Sequence, residues 1–274
     1  MKLALDKIFN LYSLIAINIA IIILTLTVGG GKFFYESGLI HAIAILFIIL
    51  AVSRAFGHYY TYDPILEKFF HASLVALAVF AASHLVEFFS IEVLKEYKDA
   101  TFAEVANLYL VSLLFIIIGA EFFLKIRHSW AVIIQKISGV AIFILLAFSA
   151  ALLINDRLVS LEPERPTPYI YAGLIFIVGL TAIVEVLKIK QLVSITRSFT
   201  NYLSAAIVLI IFAAVPNIFY ELLEKGFGIA EYKIVYFSHF AFYAALSLLF
   251  LAFGKLSFLG GVYEDLKKLE QQAK

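Results

Sequence analysis

The chain has 274 residues, 63% of them hydrophobic and 15% charged, with a mean hydropathy of +0.99 and a formal net charge of +1. Ordinary soluble domains carry roughly 45–50% apolar and about 25% charged residues, so a water-soluble globule is excluded: too little polar surface would remain to cover its core. The near-neutral balance, with Lys and Arg scattered between apolar runs, excludes a nucleic-acid-binding face, and the lack of cysteine excludes disulfides, thiolate metal sites and a cysteine nucleophile.

A membrane-crossing helix needs about 20 mostly apolar residues. Eight windows meet that length: 10–28, 37–56, 69–90, 104–124, 131–154, 169–188, 200–222 and 233–254. The first follows Lys2 and Lys7 and ends in Gly29-Gly30-Gly31. It exceeds the roughly 7–15 residues of a signal-peptide core, so it reads as an uncleaved span. The second carries His41 near its start and Arg54 near its end, with His58 just beyond. The third holds His71, His84 and Glu87, and the fourth ends near Glu121, before Arg127 and His128. Trp130 precedes the fifth, and the run Glu162-Pro163-Glu164-Arg165-Pro166-Thr167-Pro168 separates it from the sixth, which contains Glu185. In the seventh, Pro216 breaks the helical pattern just before Asn217, Tyr220 and Glu221. His239 lies near the start of the eighth.

The expected fold is therefore an all-α polytopic integral membrane bundle of about eight transmembrane helices. A transmembrane domain covers 1–255, and a short cytoplasmic amphipathic tail covers 256–274, with Tyr263, Leu266 and Leu269 at helical spacing. A Phe followed by Gly or Ala recurs in every second span, at Phe47, Phe115, Phe176 and Phe250, which suggests a repeated helical hairpin. Tyr59, Tyr60, Tyr62 and Trp130 at one boundary, and Tyr169 and Tyr171 at the other, read as interfacial belts. The scarcity of Gln, Asn and Met fits adaptation to high temperature.

Ionisable groups inside a span are expensive, so each is a functional candidate. His84 and Glu87 are three apart and share one helix face. With His239 they form a candidate metal set, and His41 at similar depth would complete an N/O donor group suited to Zn²⁺ or a similar divalent ion. Asn217 and Glu221 are second-tier ligand contacts. A haem alternative pairs His71 with His84 and His41 with His58, but the two separations, 13 and 17 residues, do not match. Glycine-rich phosphate loops, Gly-x-Ser-x-Gly and His-Glu-x-x-His do not occur, so a non-enzymatic role is expected. The reading is a permease-like or sensory module that binds a small or lipophilic ligand in the outer half of the bundle. The alternatives are a zinc-type membrane enzyme and a b-type cytochrome. Expected partners are the lipid bilayer, the ligand, and either a second copy or a cytoplasmic signalling partner met through the tail.

Fourteen of the 21 Lys and Arg residues fall on the side of the N-terminus, which places both termini in the cytoplasm of a multi-pass plasma-membrane protein. A reporter fused after Lys274 should be cytoplasmic, and one inserted at Glu96 external. Finding the Glu96 reporter in the cytoplasm would reverse the orientation.

Overall fold

The computed structural model describes residues 9–56, 64–93, 98–124, 130–192 and 197–272, the last stretch beyond residue 255 by its backbone. Lys125, Arg127, His58, His128, Tyr59, Tyr60, Tyr62 and the loop around Glu96 lie outside the described residues. Regular structure among the described residues is helical throughout. The elements are α1 (Leu11–Thr27), a 3₁₀ turn (Val28–Gly31), α2 (Phe33–Glu36), α3 (Leu39–Phe56), α4 (Pro64–Val93), α5 (Lys98–Leu124), α6 (Trp130–Ile154), α7 (Thr167–Leu192), α8 (Arg197–Ile218) and α9 (Glu231–Gln272). Lipid offers the backbone no hydrogen bonds, so only helices can satisfy so many consecutive apolar residues within one segment.

Helices α3 to α9 contain seven stretches long and apolar enough to cross a membrane. The first expected span is α1, equally apolar but 17 residues long, at the lower end of the roughly 17–25 needed to span. It packs on α9, where Asn18 Nδ2 donates to Ser247 Oγ at 2.9 Å. The chain is thus an all-α, multi-pass membrane bundle.

Local signals set the helix ends. Asn10 caps α1 by accepting the Ser13 N–H at 3.0 Å, and Pro64 opens α4, where its missing N–H is not needed. Gly38, at φ +66°, takes the left-handed turn after α2 that a Cβ would oppose, and so aims α3 into the bundle with His41 in its first turn.

Helix α5 is the centre. Its spanning stretch is 78% buried, and it packs against α4, α6, α7 and α8. Helix α6 is the opposite case at 17% buried, with Ile137, Phe143 and Ile144 facing lipid. Helix α9 packs on both α3 and α8, so α3, α4, α5, α8 and α9 form a closed ring of neighbours. Small residues allow the closest approaches. A Cβ on Gly119 would lie 3.3 Å from the Phe69 carbonyl oxygen and 3.1 Å from the Ala72 Cβ.

The repeated Phe phrase does not produce equivalent environments. Phe47 and Phe250 are buried, Phe115 is half-buried and Phe176 is exposed. The proline break in α8 is accommodated by its neighbour: the Ser238 hydroxyl of α9 donates to the Ala213 carbonyl, beside the carbonyl that Pro216 leaves without its helical donor. Trp130 and Tyr169 are exposed, as expected of boundary residues, but Tyr171 is buried. Two residues along a helix turn the side chain by about 200°, so one tyrosine faces out while the other faces in.

Gly119→Leu should wedge α4 from α5 and lower stability by about 2 kcal/mol. Phe143→Leu on the lipid face should change it by less than about 0.5 kcal/mol. Thermal unfolding in detergent checks both; equal effects would mean that α5 is not the packing centre.

Candidate metal centre

Three helices bring the site together. His41 comes from the first turn of α3, His84 and Glu87 from one face of α4, and His239 from the third turn of α9. Their exposures are 0%, 1%, 2% and 1%, so none of these groups reaches water or lipid. Closure of the ring by α9 sets His239 beside the α3 and α4 residues.

The four side chains converge on one point. Glu87 Oε2 lies 3.6 Å from His41 Nδ1, 3.5 Å from His84 Nδ1 and 3.7 Å from His239 Nε2. His239 Nε2 and His41 Nδ1 are 3.0 Å apart. One ligand atom can be chosen from each residue so that all four lie within 4.8 Å of one another. Zn–N and Zn–O bonds of about 2.0–2.1 Å at a tetrahedral angle place neighbouring ligand atoms about 3.3–3.4 Å apart. The carboxylate contacts are too long for hydrogen bonds of about 2.7–3.2 Å and close to the spacing around a shared cation.

Polar satisfaction points the same way. Neither oxygen of Glu87 has a hydrogen-bond partner, nor do His84 Nδ1 and His41 Nε2. A buried carboxylate without donors or a counter-charge is strongly unfavourable. The surroundings orient the rings. His239 Nδ1 lies 2.9 Å from the Val235 carbonyl, which can only accept, so this nitrogen carries the proton and Nε2 faces the cluster with its lone pair. The Tyr109 hydroxyl is 3.5 Å from His84 Nε2, and Phe242 packs against the His84 ring at 4.4 Å between centroids. Tyr243 donates to the Ile40 carbonyl and stacks on Phe47, fixing α9 against α3 next to His41 and one turn from His239. This aromatic shell excludes water and keeps the local dielectric low.

Of the residues singled out from the sequence, His41, His84, Glu87 and His239 meet. Glu221 does not join them, because its carboxylate pairs with Lys225 at 2.7 Å. Asn217 is buried on α8, with no hydrogen bond to any of the four. His71 lies exposed near the opposite end of α4. At that end Glu121 and Glu185, both 3% exposed, approach each other across α5 and α7, and Lys188 pairs with Glu185. Tyr109, Phe242 and Tyr243 were not foreseen. Aromatic residues are common in such helices, and only the fold shows which of them border the site. Comparison with protein-family models, curated proteins and solved structures finds no match to this chain, so the functional reading rests on this geometry.

Segment α2 covers this end of the bundle. The Tyr35 N–H donates to the Tyr236 hydroxyl at 3.1 Å, and the Tyr35 hydroxyl donates to Glu231 at 2.9 Å. Burial, followed by the Glu231 carboxylate, pushes the Tyr35 phenol well above its ordinary value of 10. The folded state therefore holds this proton more tightly than the unfolded chain. Its contribution is complete below about pH 10 and is lost as pH rises beyond it. Unfolding measured between about pH 9 and 11 should show Tyr35→Phe losing less stability than the parent; parallel losses would show that this contact does not carry the alkaline sensitivity.

Proposed function

We propose that this chain is a membrane-embedded metal-binding module in which His41, His84, Glu87 and His239 hold one divalent cation, Zn²⁺ or a similar first-row ion. The observation that carries the reading is the convergence of four buried donors from three helices within 4.8 Å. Three imidazoles and one carboxylate are a borderline donor set suited to such ions. The metal would also supply the positive charge that the Glu87 carboxylate lacks. Four protein ligands fill a tetrahedral shell, whereas hydrolytic zinc sites use three and keep one position for water. This favours a sensed or resident ion over a zinc enzyme. Haem is disfavoured because the facing nitrogens His41 Nδ1 and His239 Nε2 are 3.0 Å apart, which leaves no room for a macrocycle between them.

The sensory form of this reading is supported by α9. It carries His239 near its start and continues as an unbroken helix of 42 residues, about 63 Å long, well beyond its spanning stretch Glu231–Lys255. Ligation that repositions α9 would thus be felt beyond the far membrane boundary. In the orientation expected from the charge bias, the site lies in the outer half of the plasma membrane and the end of α9 lies in the cytoplasm.

Metal analysis of protein purified after exposure to Zn²⁺ should find one ion per chain. His84→Ala and His239→Ala should lower occupancy more than tenfold, and Glu87→Gln should weaken affinity about 10–100-fold, a loss on the scale seen when groups around a metal are removed. Glu221→Gln should leave stoichiometry unchanged. Protein that binds no divalent first-row ion, or that retains it without His84 and His239, would sink the reading.

A further inference from the structure

A second buried polar group lies on α5, away from the histidines. Glu104 and Asn107 on α5, Ser149 on α6 and Tyr171 on α7 are 4%, 0%, 4% and 6% exposed. Their depths agree. Glu104 is six residues past the start of α5, Ser149 five before the end of α6 and Tyr171 four past the start of α7. At 1.5 Å per residue, these three lie about 6–9 Å below the same end of the bundle, and Asn107 lies about one turn deeper than Glu104.

The Ser149 hydroxyl faces the Glu104 carboxylate, and the Tyr171 hydroxyl faces Asn107 with Glu104 nearby. None of these approaches closes an aligned hydrogen bond: Glu104 Oε2, both polar atoms of the Asn107 amide, Ser149 Oγ and Tyr171 OH are without partners. Buried polar atoms are nearly always satisfied, so four oxygens without partners in one place, from Glu104, Asn107, Ser149 and Tyr171, call for a ligand that they can share. The connection between α6 and α7 closes over this region. Its 3₁₀ turn Asp156–Leu158 packs on α5 and α6, and Val159 and Leu161 are buried.

We propose that Glu104, Asn107, Ser149 and Tyr171 form a binding site for a small monovalent cation, sodium, separate from the histidine site. The available ligand atoms are a carboxylate, an amide oxygen and two hydroxyls, which are hard oxygen donors with no imidazole among them. One carboxylate balances one positive charge, and groups this close to one another suit a small ion. Asn107 also precedes Tyr109 by two residues on α5, so ordering this stretch bears on the helix that touches His84.

The test is equilibrium binding of ²²Na⁺ to the purified full-length protein, alongside its thermal midpoint in NaCl, KCl or choline chloride at constant ionic strength. One Na⁺ per chain is expected. The midpoint should rise by about 5–10 °C as Na⁺ reaches about 100 times its Kd, with K⁺ and choline leaving it unchanged. Glu104→Gln should abolish both effects. If that variant does not fold, Ser149→Ala keeps the charge and should weaken Na⁺ binding about tenfold. An equal response to all three salts, no bound ²²Na⁺, or a sodium response that survives in Glu104→Gln or is unaltered in Ser149→Ala overturns the proposal. His84→Ala should retain the sodium response, so failure of the histidine site and failure of this one are told apart.

Discussion

Taking a carboxylate out of water into an apolar bundle costs several kcal/mol unless donors or positive charge accompany it. Glu87 is 2% exposed on α4, and neither of its oxygens accepts a hydrogen bond. What surrounds it instead is a set of imidazole nitrogens at 3.5–3.7 Å, drawn from α3, α4 and α9. The arrangement of those helices follows from the same need. Tyr243 ties α9 to the Ile40 carbonyl of α3, and Tyr35 ties the preceding turn to Glu231 at the start of α9. These bonds hold the two histidine-bearing helices at a fixed height relative to Glu87.

The rest of the bundle supplies a dry frame. Lipid provides no hydrophobic drive between helices, so association depends on close van der Waals packing and on a few polar contacts. Helix α5 shows this most clearly, being buried along most of its length with Gly119 seated against Phe69 and Ala72 of α4. Its two faces serve different chemistry. On one, Tyr109 borders the nitrogen-rich cluster; on the other, Glu104 and Asn107 face the hydroxyls of α6 and α7. Imidazole nitrogens with one carboxylate thus lie on one side of α5, and oxygen atoms without imidazole on the other.

Helix α9 joins the site to the far side of the membrane. It contributes His239, lies against α3 and α8, receives α1, and runs on as helix past the end of its span. Ser238, next to His239, donates to the Ala213 carbonyl near the Pro216 break, so α9 is also tied to the stretch of α8 around that proline. His239 thus sits near one end of an element that continues as helix beyond the far end of its spanning stretch.

The sequence by itself determined the class and most of the spans. Long apolar runs can only be helices in lipid, and chain punctuation such as Gly29-Gly30-Gly31 and the proline-rich run from Glu162 to Pro168 separates them. It also determined that His84 and Glu87 lie on one helix face, because residues three apart on a helix are neighbours. Sequence depth further grouped His41 and His239 with them, but not with which neighbours those histidines would meet. Only the tertiary structure decided that α9 closes onto α3 and α4, that Glu221 turns to Lys225 instead, and that Tyr171 points inward while Tyr169 points out. It alone gathered Glu104, Asn107, Ser149 and Tyr171 from three helices. The reason is physical: in a soluble helix the polar face reveals the buried one, but here both the lipid and the core are apolar, so the sequence carries little contrast between the face that meets a partner and the face that meets the membrane.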